Sequence, residues 1–156
     1  MAFEADVLLD KTIAALTAPG GQFELVTAKV RGADYPTFKA APDSLRDYLA
    51  VFFMAQGDKE FLVYRDERMT FAQVYAQAVH IAAVLQHRHG IAKGDRVAVA
   101  MRNYPEWVSA FVAGCILGAV VVPINAWWTA EELNYGIADS GTRLVIADAE
   151  RARRLA

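Results

Sequence analysis

The chain of 156 residues is long enough to bury one ordinary hydrophobic core. Hydrophobic residues make up 55% of it and charged residues 22%, which is typical of a folded globular protein and excludes a disordered chain. The formal net charge of -2 argues against a nucleic-acid partner, because such proteins usually carry a strong basic excess.

Cysteine usage and the N-terminal residues bear on the compartment. Cys115 is the only cysteine, which excludes a disulfide framework and a cysteine-based metal site. The N-terminus is acidic and lacks the basic start and apolar segment of a secretory signal. Both features favour a cytoplasmic protein.

Residues 1–60 are predicted to form an appended region of helix and hairpin. Two extended segments, Phe23–Arg31 and Tyr35–Lys39, flank a turn and predict the hairpin. A helix is expected from about Ser44 to Gln56, with Gly57 after its last turn.

Residues 61–156 are predicted to form an incomplete α/β subdomain that begins with a small hairpin near residues 61–69. Thr70 and Gln73 have the spacing of a capping box, in which each side chain binds the other residue's backbone N–H. Apolar residues then recur at helical spacing as far as Gly90. The segment Arg96–Met101, mostly valine and alanine, predicts a buried strand.

The run from Trp107 to Ile124 is uncharged and long enough to be a transmembrane candidate. Gly118 and Pro123 interrupt it, and its second half is rich in β-branched valine. We therefore predict a buried helix followed by a buried strand, with no transmembrane span. Asn103 and Glu106 have capping-box spacing, which predicts that this helix begins after Asn103.

Thr129 and Glu132 repeat the capping-box spacing before a helix that should end near Gly141. A further strand follows at Arg143–Ala147. The resulting βαβαβ order predicts an α/β fold with a largely parallel sheet flanked by helices. Residues 149–156 resemble the first turns of a helix, so we expect the subdomain to be truncated at its C-terminal end. The arginines of this helix are expected on a solvated face: Arg151, Arg153 and Arg154.

Motifs for phosphate or metal chemistry are missing from the sequence. It contains neither a G-x-G-x-x-G fingerprint nor a Walker loop, and Lys93-Gly94-Asp95 is better explained as a turn. His80, His87 and His89 lack the i, i+4 spacing that would place two imidazoles together on a helix. We therefore predict no catalytic, cofactor-binding or metal-binding residue in this chain.

Trp127 and Trp128 are the candidate substrate-binding residues. They follow the end of a parallel strand, where open α/β sheets form their ligand crevices. Contact with an acyl chain or an interface is one interpretation. Packing in the core or under a lid is the alternative for such large apolar rings.

Several segments, taken in order, resemble one enzyme family. They are Met69-Thr70-Phe71 with Val74, then residues 90–98, then Asn103 with Glu106-Trp107, then residues 117–125, and finally residues 129–133. Together they resemble the adenylate-forming superfamily of acyl-CoA synthetases, luciferases and peptide-synthetase adenylation domains. Residues 125–133 look most like bacterial fatty-acyl-CoA ligases.

The resemblance implies the first part of the N-terminal domain of an AMP-forming ligase. In that family a carboxylate attacks the α-phosphate of ATP, with Mg²⁺ present, and the CoA thiol then displaces AMP. The family's phosphate loop, ribose-binding aspartate and catalytic lysine lie beyond the segments matched here. The resemblance therefore implies a chain that is inactive alone and needs the remainder of its parent, whose substrates are a fatty acid and CoA. By analogy it also implies a homodimer. The alternative is a natural short dimerisation or acyl-binding module with the same fold.

Overall fold

Six helices and seven strands are present in the computed structural model, which describes residues 3–155. In chain order they are α1 (Glu4–Thr17), β1 (Leu25–Val30), β2 (Ala33–Phe38), α2 (Leu45–Gln56), β3 (Glu60–Tyr64), β4 (Glu67–Thr70), α3 (Phe71–His89), β5 (Arg96–Ala100), α4 (Pro105–Leu117), β6 (Val120–Pro123), α5 (Ala130–Asp139), β7 (Leu144–Ala147) and α6 (Ala149–Leu155). The final helix was predicted to include Ala156, which lies outside the described residues.

These elements divide into two compact units, with the division between Asp43 and Ser44. The first unit contains α1 and the antiparallel pair β1–β2, which confirms the predicted hairpin. Its tight turn is formed by Arg31 and Gly32, both with positive φ. The predicted boundary between an appended region and the α/β subdomain lies after residue 60, and it stays a prediction.

Except for α4, the helices of the second unit begin where a side chain accepts a hydrogen bond from one of their first free N–H groups. Two of the three predicted capping boxes are confirmed: the hydroxyls of Thr70 and Thr129 accept from the N–H groups of Gln73 and Glu132, whose side chains bond back, whereas the box predicted at Asn103 and Glu106 is not formed. α4 differs from the prediction because it begins at Pro105 rather than directly after Asn103. Proline suits the first helical position because it has no N–H to satisfy and its φ is already helical.

A three-stranded parallel sheet in the order β6-β5-β7 forms the centre of the second unit. Successive side chains of β5 point to opposite faces. Val97 packs with residues of α3 and α4, whereas Ala98 and Ala100 pack with Leu133 of α5. Helices therefore cover both faces of the central strand, which explains why its sequence is apolar without alternation.

The predicted α/β class is confirmed, but the parallel arrangement is limited to β5, β6 and β7. The remaining strands form two antiparallel pairs, β1–β2 and β3–β4. The strand predicted in the second half of the apolar run, β6, lies at the edge of the sheet, where Val120 is 49% exposed. It is therefore less buried than predicted.

The apolar run from Trp107 to Ile124 forms a helix followed by a strand, as predicted. Gly114 lets this helix lie directly against the sheet, because a Cβ at that position would come within 2.3 Å of Val121 Cγ2. Gly118 ends the helix in the left-handed conformation. Across residues 3–155 no helix combines the length and apolarity needed to cross a bilayer.

Candidate functional site

The carboxyl ends of the three parallel strands bring distant parts of the chain to one edge of the sheet. Arg102 follows β5, Trp127 follows β6, and Asp148 follows β7. The backbone N–H of Arg102 donates to Asp148 Oδ2 over 3.1 Å, and the guanidinium carbon of Arg102 lies 4.0 Å from the centroid of the Trp127 ring. Open α/β sheets form their ligand crevices at this edge.

Two adjoining depressions open at this edge and share the side chains of Tyr64 and Tyr104. The first has a volume of about 540 Å³ and walls that are mainly apolar, including Ile81, Met101, Ala110 and Ile146. The second has a volume of about 440 Å³, and we refer to it as the aromatic–arginine cleft. It is lined by Tyr64, Arg65, Arg102, Asn103, Tyr104, Ala126 and Trp127.

Each arginine of the aromatic–arginine cleft lies over an aromatic ring. Besides the Arg102–Trp127 pair, the guanidinium carbon of Arg65 lies 5.3 Å from the centroid of the Tyr64 ring. The Tyr64 and Tyr104 rings meet edge-on with their centroids 5.8 Å apart. Stacking on a ring leaves the N–H groups at the guanidinium edge free to donate to an anion.

The structure separates the two predicted substrate-binding residues. Trp127 is 71% exposed at the wall of the aromatic–arginine cleft, and Asn125 Oδ1 accepts its backbone N–H over 2.9 Å. Trp128 is half-buried against the core of Ile124 and Leu133, and its ring lies over Gly136. The core-packing alternative therefore describes Trp128, and only Trp127 faces the cleft. A substrate-binding role for either ring stays a prediction.

The loop that carries both tryptophans is held from α6 by a group of contacts that we call the Arg151 clamp. Arg151 donates through Nε to the Ala126 carbonyl over 2.8 Å, and its guanidinium pairs with both oxygens of Asp148, at 2.8 and 3.0 Å. Arg154 donates to the Trp128 carbonyl over 2.8 Å. The carbonyls on both sides of Trp127 are therefore fixed.

The prediction of a solvated helix face is wrong for Arg151, because only 1% of its side chain is exposed. Arg153 is exposed, and Arg154 forms the expected i, i+4 pair with Glu150. The burial of Arg151 could not be read from local spacing, because the Ala126 carbonyl lies in a separate loop.

Asp148 stays ionised within this clamp. Burial alone would raise the pKa of its carboxyl group, but the N–H groups of Arg151 and Arg102 and the Arg151 guanidinium outweigh that effect and hold the pKa below its ordinary value. Asp148 therefore compensates the charge of the buried arginine and also caps α6 through the Arg151 N–H.

Residues 3–155 contain no group of three or more histidine, cysteine, aspartate or glutamate side chains placed to hold a metal ion. The segment Lys93-Gly94-Asp95 forms the predicted turn, in which Asp95 Oδ2 accepts the Ala92 N–H over 2.8 Å.

Comparison with protein families shows the family to which this chain belongs. The family model described as "AMP-binding enzyme" matches residues 51–156. Because that match covers more than half of the chain, the chain belongs to the AMP-binding enzyme family. The resemblance to adenylate-forming acyl-CoA synthetases is thereby confirmed.

Individual relatives are fatty-acid ligases by name. The long-chain-fatty-acid–CoA ligase FadD13 of Mycobacterium tuberculosis (strain ATCC 25618 / H37Rv) is 47% identical over 87 residues, covering 56% of this chain and 17% of the relative. The long-chain-fatty-acid–CoA ligase of Escherichia coli O157:H7 is 32% identical over 117 residues, covering 73% and 21%. This chain therefore spans about a fifth or less of the length of these relatives.

A solved structure agrees with the sequence relatives. The inhibitor-bound N-terminal domain of FACL13 from Mycobacterium tuberculosis matches with a TM-score of 0.67 and 38% identity, covering 72% of this chain and 28% of that one. The fold described above is thus similar to part of a known N-terminal domain.

Proposed function

We propose that this chain is the N-terminal portion of an ATP-dependent, AMP-forming ligase that joins a fatty acid to CoA. The observation that carries the proposal is the family match over residues 51–156, together with relatives named as long-chain-fatty-acid–CoA ligases. The mainly apolar crevice at the sheet edge offers additional support, because a fatty-acid ligase needs apolar surface for its substrate.

The chain is proposed to be inactive alone. ATP, Mg²⁺ and CoA would be used by the longer protein, since the family resemblance places the phosphate loop and catalytic lysine outside these residues. The remainder of the parent chain is therefore the first partner that we propose.

A comparison of this chain with the full product of its gene tests the proposal. Each protein is incubated with ATP, Mg²⁺ and a series of fatty acids, and acyl-adenylate formation is followed by pyrophosphate exchange and trapping with hydroxylamine. Exchange is expected for the full gene product and none for the 156-residue chain. Exchange by the short chain would contradict its inactivity, and its absence from a longer product would contradict the ligase assignment.

Trp127 and Trp128 remain the proposed substrate-binding residues, with Trp127 in contact with the ligand and Trp128 supporting the loop. We also propose residues 1–60 as an appended helix and hairpin region and residues 61–156 as an incomplete α/β subdomain. A cytoplasmic location is proposed because the lone Cys115 suits a reducing compartment. Fractionation of cells that express the tagged gene product would test that location.

Self-association is the alternative role. Apolar side chains are exposed on α2, where Val51 is 63% and Met54 is 77% exposed, and the edge strand β6 leaves Val120 half-exposed. We propose that the chain forms a dimer through such surfaces. Sedimentation velocity at micromolar concentrations should show a concentration-dependent dimer, and a monomer at every concentration would contradict this. If the gene ends after Ala156, the dimerisation or acyl-binding module becomes the preferred function.

A further inference from the structure

The larger depression at the sheet edge combines mainly apolar walls with an acidic charge, and we call it the apolar crevice. Its described lining residues include three carboxylates, Glu67, Glu106 and Asp148, and neither lysine nor arginine. Asp148 is paired with Arg151, whereas Glu67 and Glu106 form no ion pair within residues 3–155. Glu106 interacts favourably with the dipole of α4, whose first turn contains it, but Glu67 on β4 has no such stabilising partner.

The aromatic–arginine cleft carries the opposite charge. Its described lining residues include Arg65 and Arg102 and no carboxylate, and neither arginine forms an ion pair within residues 3–155. Stacking on Tyr64 and Trp127 leaves the N–H groups at each guanidinium edge available to an anion. Arg65 is also held with φ of 50–60°, at 54°, a left-handed conformation that is uncommon for residues other than glycine.

The aromatic residues of the two depressions are of the kind found at the centres of protein–protein interfaces. Tyr64 and Tyr104 line both depressions, and Trp127 is exposed at the wall of the cleft. Tryptophan, tyrosine and arginine are the residues most enriched among binding hot spots. The Arg151 clamp fixes the loop that carries Trp127, which lowers the entropy cost of burying its ring against a partner.

We propose that the two depressions together form a docking site for a segment of a partner protein that carries both charges. A lysine or arginine of the segment, beside an apolar side chain, would enter the apolar crevice and place its cation at Glu67 and Glu106. A glutamate or aspartate further along the segment would pair with the two arginines of the cleft. A polypeptide presents apolar, cationic and anionic side chains together, whereas the carboxylate of a fatty acid would be repelled by the acids of the crevice. The proposal goes beyond the ligase function and does not depend on it.

The test uses synthetic peptides and the ¹⁵N-labelled 156-residue chain. One capped octapeptide has a lysine and a leucine near its N-terminus and two glutamates near its C-terminus, and a second has the reverse order. Each of these bipolar peptides has a matched version in which glutamine replaces the lysine. We expect at least one bipolar peptide to cause a saturable NMR shift of the Trp127 indole N–H and the Glu67 backbone N–H. Replacing its lysine by glutamine should weaken binding by roughly tenfold.

Charge reversal in the protein separates docking from a general loss of structure. Arg102→Glu and Glu67→Lys should each weaken binding of the bipolar peptide by roughly tenfold, because like charges would then face each other. Arg102→Glu should bind a peptide with lysines in place of its glutamates more tightly than the unchanged chain does, which an unfolded variant could not do. Arg46→Gln and Tyr135→Leu change exposed side chains outside both depressions, and they should leave the dissociation constant within about twofold. Circular dichroism of every variant checks that the fold is retained.

Several results would overturn the proposal. These are no saturable shift with either bipolar peptide, equal binding of the glutamine versions, or unchanged affinity in both charge-reversal variants. Shifts of the same two signals when the chain alone is concentrated would show that a second copy occupies the site instead. Peptide binding by the 156-residue chain but not by the full gene product would show that the remainder of the parent chain covers the site. None of these outcomes bears on the ligase assay, so the proposed function is tested separately.

Discussion

Replacing Arg151 by alanine would remove the buried centre of the Arg151 clamp, which joins α6 to the end of β7 and to the loop after β6. The substitution deletes the guanidinium contacts to Asp148 at 2.8 and 3.0 Å and the Nε donation to the Ala126 carbonyl at 2.8 Å. Asp148 would keep the backbone N–H donors of Arg102 and Arg151. The Ala126 carbonyl would lose its donor, and a cavity would replace a side chain that is 1% exposed.

The size of the effect follows from these losses. Removing one partner of a buried ion pair typically costs about 3–5 kcal/mol, because the remaining charge is left without compensation. Asp148 is 14% exposed and retains two N–H donors, so the lower end of that range applies. We therefore expect Arg151→Ala to lower the free energy of unfolding by about 3 kcal/mol.

Equilibrium unfolding in urea, followed by far-ultraviolet circular dichroism, measures this change. With a urea m-value of about 2 kcal/mol/M, the midpoint should fall by about 1.5 M. Arg153→Ala is the matched control, because Arg153 lies on the same helix with an exposed side chain, and its effect should stay within about 0.5 kcal/mol. A midpoint for Arg151→Ala equal to that of the control would refute the reasoning.

Three further predictions concern the stability of the protein. The lowered pKa of Asp148 means that its contribution is present above the ordinary aspartate value, near 4, and is lost as pH falls through the lower folded-state pKa. In Asp148→Asn the free energy of unfolding should therefore fall less steeply as the pH is lowered than it does in the unchanged protein. An equally steep fall in both proteins would contradict this. Gly114→Ala should destabilise the protein by about 1–3 kcal/mol, because the added methyl group overlaps Val121. Urea unfolding should show a smaller loss of stability when Val121→Ala is also present. An equal loss with and without Val121→Ala would exclude that overlap. Trp128→Ala should lower the free energy of unfolding by about 2–4 kcal/mol and Trp127→Ala by at most about 1 kcal/mol, because only Trp128 packs in the core. Thermal unfolding measures both variants, and a larger loss for Trp127→Ala would contradict the placement of the two rings.

The sequence alone predicted the features of the fold that depend on neighbouring residues. The capping boxes at Thr70 and Thr129 are local, since each joins residues three positions apart. The Asn103 spacing predicts a start for α4 that is too early, whereas Pro105, an equally local signal, marks the first helical position that the structure shows. That signal was available in the sequence.

The aromatic–arginine cleft could be predicted only in part. Trp127 was found because it follows a parallel strand, and the same rule would have selected Arg102, which follows β5. Tyr64 and Arg65 come from the β3–β4 hairpin and reach the cleft only through tertiary packing. The burial of Arg151 likewise depends on the Ala126 carbonyl, which lies 25 residues away.

The order β6-β5-β7 also has a consequence for how the sheet assembles. β7 pairs with β5 across about twice the chain length that separates β6 from β5, and each doubling of a loop costs about 0.6 kcal/mol in closure entropy. We expect β5 and β6 to pair first, with β7 and the Arg151 clamp joining after the rate-limiting step. Stopped-flow kinetics of Arg151→Ala should then show faster unfolding at an unchanged folding rate, so that the clamp sets the lifetime of the folded sheet.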